Sequence, residues 1–580
     1  MKTNCREHWG MRAAVDVEIW NGFARCALLG LIVLIMIVIG ATAPLQAKVD
    51  AGISGIVTDV SGAVVSGATV QVKALETGLI QRRQTNSDGF YAFIDLPPGH
   101  YEIEVSQSGF TTFRQTGVLL DVNSAKVLNV KLNVGQISEK VDVSTDAVQL
   151  DTASTQNGEV IRAQTMTAVP LVTRSYTDLL ALQPGVTPAS SGLAGGQGGQ
   201  FSATGFTFNN VSGDLNAGNL SVNGQRESAN GFLLNGTTVQ EFAFSGAGMI
   251  PNLDSIAEFR IVTNNFDAEY GNYAGGQINV ITKSGVNKFH GSAFEFLRNR
   301  SFDARNYFSQ VRDDHKQNEF GGTFGGPIVH DKLFFFADYQ GNRVIIGQSG
   351  STGTFVVPTQ AERNGDFSAL AASMTGTVQG PVWAQDLSQT LGYPVTEGES
   401  YYSPGCTDKA TCVFPGATVP ASAVSVPSKN LLQFIPPGNA GDGVFSPVAE
   451  PIRLSDNKTS GRVDYDSRLG LITGYYFFDQ FRQSTPNIFL PGFGSDNTGR
   501  SQIVELGDTK TLGNTSVNEL RAAFTRLRFL MHKPTCGGNV TPKSLGFEEG
   551  PDTLGISPSL PQYAHVPNIH LNNEIGRAHV

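Results

Sequence analysis

Hydrophobic and polar residues alternate with a period of two along much of the chain. In the first third, short alternating runs are separated by turn residues such as Ser-Asp-Gly and Pro-Pro-Gly; the runs lie at 53–59, 68–72, 89–93 and 100–105. Regularly spaced short strands with turns of this composition predict a small β-sandwich.

A second alternating region, richer in Phe and Tyr, begins after Lys288 and includes 332–340, 469–482 and 516–529. In the last of these runs Leu520, Ala522 and Phe524 alternate with polar residues. This run has one apolar and one polar face, which is typical of a membrane β-barrel strand, and we count about seven candidate strands after Lys288. A soluble sandwich with one wet face is the alternative.

Near the N-terminus, an apolar run at 27–41 follows Arg25 and is succeeded by Ala47. This order predicts a cleaved secretory signal over 1–47, with Met11 as an alternative start. A retained transmembrane helix is the other interpretation.

Between the two alternating regions, the pattern predicts a short helix, a turn and a strand. Asn252 and Asp254 can cap a helix whose apolar positions are Ile256, Phe259 and Ile261. A Gly-rich turn and a β-prone run, QINVIT, come next.

The string GGQINVITKSG resembles the end of the plug domain in TonB-dependent outer-membrane receptors of the Oar-like branch. The matching residues are Gly275, Gly276, Asn279, Val280, Thr282, Lys283 and Gly285. The segments 290–296 and 320–328 resemble the opening strands of the barrel in that family. The resemblance implies a plug over 150–287 and the N-terminal part of an outer-membrane barrel over 288–573.

Upstream segments also resemble this plug. Residues 163–186 are similar to the pattern LP...R....LL.L.PGV, and Leu179, Leu180 and Leu182 supply a helix face before Pro184. Asn235 stands where the family commonly has Asp, a change that keeps the turn chemistry.

Residues 50–135 resemble carboxypeptidase regulatory-like domains, which have a transthyretin-like, carbohydrate-binding-like fold and perform no chemistry. Asp59, Asp88 and Asp95 do not have the spacing of an EF-hand, so we interpret them as turn residues instead of Ca²⁺ ligands. A periplasmic spacer and a glycan-binding module both remain open.

A linker at 136–149 contains a candidate TonB box. In the resembled family an extended segment before the plug pairs with the sheet edge of the energising protein TonB. The local match is Val141, Asp142, Val143, Ser144 and Thr145. The last strand of the sandwich and a plain linker are the alternatives.

Composition adds limits on function. A net charge of −10 excludes the basic field expected of a nucleic-acid partner. Cys406 and Cys412 lie in a Gly/Pro/Ser-rich stretch, 348–456, that we expect to be a long ligand-facing loop outside the cell. A local disulfide is favoured there over metal ligation, because no His is near. Cys536 has no obvious partner.

No catalytic motif is present: HExxH and GxSxG are absent, and no GK[ST] follows the Gly-rich tract at 192–200. We therefore expect no enzyme activity, no cofactor and no metal site. An exported carboxypeptidase-like enzyme is disfavoured for the same reason.

The strand count is too small for a plugged transporter, which uses about 22 strands of roughly 10 residues. We therefore expect a C-terminally truncated fragment. The last seven residues, 574–580, can be back-translated to a common sequencing-adapter string, which indicates a non-biological end.

Together these patterns predict a mainly β chain with a small β-sandwich, an α+β plug and the first strands of an incomplete transmembrane β-barrel. The implied function is TonB-dependent transport of an unidentified ligand across the outer membrane. The expected partners are a TonB-type periplasmic protein, outer-membrane lipid and a small-molecule, glycan or peptide ligand. The alternative is a surface adhesion or carbohydrate-binding protein that acts through the sandwich.

Overall fold

A computed structural model describes the chain in segments. The described residues are 51–135, 140–144, 156–171, 174–188, 220–240, 247–266, 272–304, 312, 315–347, 354–374, 376–446, 451–468, 470–486, 494–512, 516–532 and 541–547. The predicted signal segment 1–47, Thr145, Cys536 and 574–580 lie outside them. Among the described helices, none has the length and apolar character needed to cross a membrane.

The first unit is a two-sheet sandwich. Its strands are β1 (Ala51–Asp59), β2 (Thr69–Ala74), β3 (Ile80–Gln84), β4 (Phe90–Leu96), β5 (Gly99–Ser106), β6 (Thr112–Leu120), β7 (Ala125–Val127), β8 (Val130–Leu132) and β9 (Lys140–Ser144). One sheet has the order β4-β1-β7, with β8 also paired to β1, and the other has the order β3-β2-β5-β6-β9. Alternate side chains of both sheets, among them Ile53, Phe93 and Ile103, fill one apolar core.

The second unit is the α+β plug. It contains β10 (Asn157–Arg162), α1 (Ala163–Ala168), α2 (Tyr176–Leu180), β11 (Val186–Pro188), β12 (Leu220–Val222), β13 (Gly231–Leu234), β14 (Thr237–Thr238), β15 (Ile256–Asn264) and β16 (Gln277–Thr282). Single 3₁₀ turns lie at Glu227–Ala229 and Leu253–Ser255. The main sheet has the order β10-β15-β16-β13-β14, and β11 pairs with β12.

Two local expectations for the plug were wrong. The helix expected at Ile256, Phe259 and Ile261 is strand β15, preceded only by the short 3₁₀ turn. All three side chains are buried because β15 is central in the sheet and covered on both faces. Helix α2 forms, but it ends at Leu180, and Leu182 is 70% exposed instead of extending the apolar face.

The third unit is a seven-stranded antiparallel sheet, hereafter the wall, and an insertion. The wall strands are β17 (His290–Asn299), β18 (Lys316–Val329), β19 (Leu333–Ile346), β22 (Ile452–Ser467), β23 (Gly470–Thr485), β24 (Ser495–Leu512) and β25 (Ser516–His532). They pair in chain order, and β17 and β25 are the two ends of the sheet. Among the described residues the wall is therefore not closed into a barrel. The mainly β class predicted from the sequence is confirmed.

The insertion between β19 and β22 is folded. It contains β20 (Phe355–Val356), α3 (Gln360–Arg363), α4 (Pro381–Leu391), α5 (Val426–Leu432) and β21 (Val444–Phe445), with 3₁₀ turns at Ser368–Ser373 and Pro415–Ala417. Buried apolar side chains, among them Val378, Leu387 and Val413, form a separate core. The expectation of a plain loop was wrong in this respect, and the segment ends before β22 begins at Ile452 instead of at 456. A further 3₁₀ turn lies at Lys543–Leu545.

The two faces of the wall differ in polarity. On the outward face, exposed apolar side chains follow the strands: Phe324, Tyr339, Val463, Tyr465, Tyr476, Val504, Leu506, Leu520 and Phe524. On the inward face, many buried side chains are polar: Glu319, Asp338, Gln340, Asn342, Asp456, Lys458, Ser460, Asp464, Asp479, Gln483, Asn497, Ser501 and Glu505. This alternation is the one expected of a strand between lipid and a polar interior.

The plug packs on the inward face. Tyr475, Phe477 and Ile503 of the wall belong to the same apolar cluster as the plug core, and Leu527 packs against it. The plug and the wall therefore share a core, and polar side chains surround it.

Candidate functional site

The segment GGQINVITKSG, residues 275–285 and hereafter the signature segment, lies where the plug ends and the wall begins. Every residue of β16 is buried, between β15 and β13. Two glycines precede it. A Cβ at Gly275 would lie 2.4 Å from Asn230 Oδ1, and one at Gly276 would lie 2.9 Å from Val222 Cγ2. Only glycine fits at these close approaches.

Gly285 has an equivalent role at the wall. A Cβ there would lie 2.4 Å from the carbonyl oxygen of Phe335 and 2.7 Å from that of Gly326. The chain can therefore leave the plug only by passing directly against the backbones of β18 and β19.

Thr282 joins the plug turn to the wall. Its backbone N–H and its hydroxyl both donate to Asn235 Oδ1, at 3.0 and 3.1 Å. Its carbonyl oxygen accepts from Arg462 Nη1 of the wall at 3.0 Å. Asn235 adopts the left-handed conformation, with φ of 48°, and its own carbonyl oxygen accepts from Arg521 of β25. The side chain of Asn235 thus fixes the end of β16, and its backbone carbonyl is part of the plug-to-wall contact.

Lys283 contributes a buried cation. Its Nζ donates to the carbonyl oxygen of Asp254 at 2.8 Å. Burial lowers the pKa of Lys283, while the nearby Asp254 and Asp338 carboxylates oppose that shift. The ammonium group is therefore held by acceptors at the plug boundary.

Arg174 is the centre of a second contact. Its guanidinium binds Asp254 of the plug and, through Nε at 3.1 Å, Glu319 of β18. It also lies over the rings of Phe296 and Phe294 of β17, with its Cζ 3.9 and 4.7 Å from their centroids. A cation bound to two carboxylates and two aromatic faces fixes the plug against the first wall strands.

Asp464 organises a third contact on β22. The Arg462 guanidinium binds it through Nε and Nη2, at 2.9 and 3.0 Å. Ser284 Oγ of the plug boundary donates to the same carboxylate at 2.6 Å, and Thr473 Oγ1 of β23 donates at 2.9 Å. This carboxylate therefore has donors from both the plug and the wall.

Asp338 of β19 links the two units in the same way. Its carboxylate accepts from Asn252 of the plug and from Ser460 of the wall. These contacts define the candidate site as a polar plug-to-wall interface.

Three or more His, Cys, Asp or Glu side chains in a metal-binding arrangement do not occur within the described segments. Cys406 and Cys412 are joined in a disulfide inside the folded insertion. The pairing is the one the sequence favours.

Four residues of the candidate TonB box, Val141 to Ser144, lie in a strand of the sandwich. Residues 140–144 are β9, which pairs in parallel with β6 from Thr112↔Lys140 to Thr116↔Ser144. β9 is the end strand of its sheet. This position is the one expected from the alternative that the run is the last strand of the sandwich. An end strand still has a second edge, to which a partner strand can pair.

Sequence reasoning did not single out Arg174, Asp254 or Glu319 as a cluster. Arg174 occupies the arginine position of the pattern LP...R....LL, so a signal was present. The two carboxylates gave none, because they are 80 and 145 positions away from Arg174 in the chain.

Comparison with known proteins gives two family matches. The model of the outer membrane beta barrel domain matches residues 281–577, and that of the carboxypeptidase regulatory-like domain matches residues 52–133. The TonB-dependent transporter Oar of Myxococcus xanthus is 26% identical over 273 residues, which are 44% of this chain and 23% of Oar. The chain thus spans about a quarter of that relative's length.

Two solved structures are similar at low identity. The outer membrane transporter YddB of Escherichia coli aligns with a TM-score of 0.37 and 11% identity, over 61% of this chain and 37% of YddB. The siderophore receptor PirA of Acinetobacter baumannii aligns with a TM-score of 0.29 and 13% identity, over 64% of this chain and 48% of PirA.

Proposed function

Since this chain belongs to the outer-membrane β-barrel family and is a homologue of Oar, we propose that it acts as a TonB-dependent transporter or receptor for a ligand outside the cell. The observation that carries the proposal is the plug sheet packed on the inward face of a wall whose outward face is apolar. When the plug moves, water can enter a polar interface between plug and wall and replace its hydrogen bonds. Exposure of an entirely apolar core to water would carry a large free-energy cost.

The lengths of the connections between wall strands support an orientation of the wall relative to the periplasm. Because the wall strands are antiparallel and pair in chain order, the separations of two or three residues between β18 and β19, β22 and β23, and β24 and β25 fall at one end of the wall, and separations of nine residues or more fall at the other. In outer-membrane barrels the short turns face the periplasm. The folded insertion is then on the outer side, where it is placed to contact ligand.

The sandwich lies at the short-turn end. Asn287 Nδ2 donates to the carbonyl oxygen of Thr77 in the β2–β3 turn at 2.6 Å and to Asp331 Oδ1 in the wall turn at 2.7 Å. This placement supports a periplasmic sandwich, within reach of a TonB-type protein. Adhesion through the sandwich is not favoured, because a domain on that side cannot contact an external surface.

We assign the TonB-type partner to the free edge of β9. An extended segment of the partner would add a strand beside β9 without breaking its ladder with β6. The ligand itself is left unassigned, since no described residue distinguishes a siderophore from a glycan or a peptide.

Two adjacent proline substitutions test the β9 assignment. Successive N–H groups of a strand point to opposite edges, so Asp142→Pro and Val143→Pro each remove a donor from a different edge. The purified full chain is mixed with the periplasmic domain of a TonB-type protein, and binding and sandwich unfolding are both measured. We expect one variant to bind the partner at least about tenfold more weakly while its sandwich unfolds as in the wild type. Unchanged binding in both variants would contradict the assignment.

A further inference from the structure

One turn of the sandwich contacts the plug. It joins β6 to β7 and comprises residues 121–124. Ser124 N–H donates to the carbonyl oxygen of Asp121, and Asp121 N–H donates to Ser124 Oγ, both at 3.1 Å. Asn123 has a φ of 55°, which closes the turn. Because the turn is held by its own hydrogen bonds, it projects toward the plug in a fixed shape.

Two buried side chains of β15 bind the backbone of this turn. Glu258 accepts from the N–H of Val122. Arg260 Nη1 donates to the carbonyl oxygen of Asn123 at 2.7 Å and to that of Val122 at 3.3 Å. The Arg260 guanidinium is charged, which strengthens its hydrogen bonds, and together the two side chains satisfy both a donor and acceptors of the same turn.

The turn also contacts two neighbouring strands. Val122 is 0% exposed and packs against Ile281 of β16 and Val160 of β10. Arg162, at the end of β10, binds Asp121 Oδ1 through Nη2 at 2.6 Å. The turn therefore holds β10, β15 and β16 together, which are three of the five strands of the plug sheet.

The same turn is continuous with the strand that holds β9. β6 ends at Leu120, directly before the turn, and pairs in parallel with β9 along Thr112–Thr116. Parallel ladders have evenly spaced hydrogen bonds, so a load along β9 is shared among the five register pairs. Force applied to β9 thus reaches the plug through β6 and the turn.

We propose that the sandwich is the mechanical coupling between the TonB-binding strand and the plug, with Glu258 and Arg260 as positioning residues that hold the 121–124 turn. This inference rests on the proposed function. It adds a second route of force besides the segment that follows Ser144 in the chain. Through the turn, a displacement of β9 reaches the plug sheet without passing along that segment.

Pulling the full chain tests this coupling. The chain is held in an immobilised nanodisc, and the periplasmic domain of a TonB-type protein is attached to a bead and drawn away in an optical trap. In the wild type we expect the plug to leave the wall together with the sandwich, in one event. In a variant carrying Val122→Asp, which places a carboxylate against Ile281 and beside Glu258, the sandwich should separate first, and the plug should leave in a later event, when the load passes along the chain after Ser144.

Two further variants make the result specific. Arg260→Ala breaks the contact from the plug side and should give the same two events, so a folding defect of one variant does not decide the outcome. Lys131→Ala, at an exposed position of β8, should behave as the wild type. If the uncoupled variants give the wild-type trace, the inference is wrong and the proposed function stands. If the wild-type chain forms no tether with the TonB-type domain, the proposed function fails and the inference fails with it.

Discussion

The plug has two neighbours, and its contacts with them are built differently. Toward the wall it presents charged and polar groups to several separate charged side chains: Arg174 binds Glu319, Ser284 donates to Asp464, and the carbonyl oxygen of Thr282 accepts from Arg462. Toward the sandwich it presents Glu258 and Arg260, which bind backbone atoms of one fixed turn. The first contact is wide, with polar and charged groups around a shared apolar core, and the second is small and rigid.

This difference has a mechanical consequence. Buried ion pairs contribute little net stability, because desolvation offsets their attraction, but loss of one partner is costly. Such an interface is specific while the plug is seated on the wall. When both partners of a pair are exposed together, hydrogen bonds to water can replace their contact. A rigid turn bound by charged side chains keeps its geometry under load. We therefore expect the wall contact to open while the sandwich contact persists.

The largest effect is expected at Arg174. Arg174→Ala leaves Asp254 and Glu319 without their cation in a buried site, which should destabilise the plug by about 3–5 kcal/mol. Native-state hydrogen exchange of the β15 amides measures this loss. Arg174→Lys keeps the charge but not the planar contacts with two rings, so we expect a smaller loss. A loss below about 1 kcal/mol for the alanine variant would mean that the cluster does not hold the plug.

Asn235 should be next in magnitude. Asn235→Ala removes the acceptor of Thr282 and places a Cβ-bearing residue without a local hydrogen bond at positive φ, with a combined cost of about 2–4 kcal/mol. Asn235→Gly is the matched control, because glycine accepts the backbone conformation and loses only the side-chain acceptor. Exchange of the Thr282 amide should therefore rise in both variants and more in the alanine variant. Equal effects would show that the backbone conformation contributes nothing.

The sandwich contact should depend on pH. Burial, with the Asp121 charge beside it, raises the pKa of Glu258 from 4.5 to about 7, while Arg162 and Arg260 oppose the shift. Between these two values the folded state binds more protons than the unfolded state, so its stability falls as pH rises. Exchange of the Val122 amide should accelerate from pH 4.5 toward pH 7 beyond the intrinsic rate. Glu258→Gln should flatten this dependence, and an unchanged slope in that variant would exclude Glu258 as its source.

Arg162 should have the smallest effect. Its side chain is 48% exposed where it binds Asp121, and exposed ion pairs contribute about 0–1 kcal/mol. We expect Arg162→Ala to change sandwich docking by less than Arg260→Ala, both measured by exchange of the Val122 amide. A larger effect at Arg162 would reverse the assignment of the principal contact.

The mainly β architecture could be predicted from the sequence because the signals for its strands and turns are local. A period of two gives strands wherever one face is buried, and the glycines of the signature segment mark places where backbones touch. β15 was mistaken for a helix because both of its faces are buried. Periodicity then does not distinguish a helix from a strand at Ile256, Phe259 and Ile261. The insertion was interpreted as a loop because its core residues are scattered among Gly, Pro and Ser.

The candidate site was only partly predictable. The glycines and Thr282 could be found because a family pattern covers them in one continuous run. The ion-pair network could not, since Arg174 meets Glu319 and Arg521 meets Asn235 only after the plug is placed on the wall. The docking turn at 121–124 is an ordinary turn in sequence, and its role depends on two side chains more than a hundred positions later.

Thiol labelling in living cells tests the central claim most directly. Single cysteines are introduced as Ser284→Cys at the wall contact and Val122→Cys at the sandwich contact, in a chain with Cys5, Cys26 and Cys536 changed to serine. Labelling rates are compared with and without collapse of the proton gradient. We expect energised cells to label position 284 faster and position 122 at an unchanged rate. Faster labelling at position 122, with none at 284, would show that the sandwich leaves the plug while the plug stays on the wall.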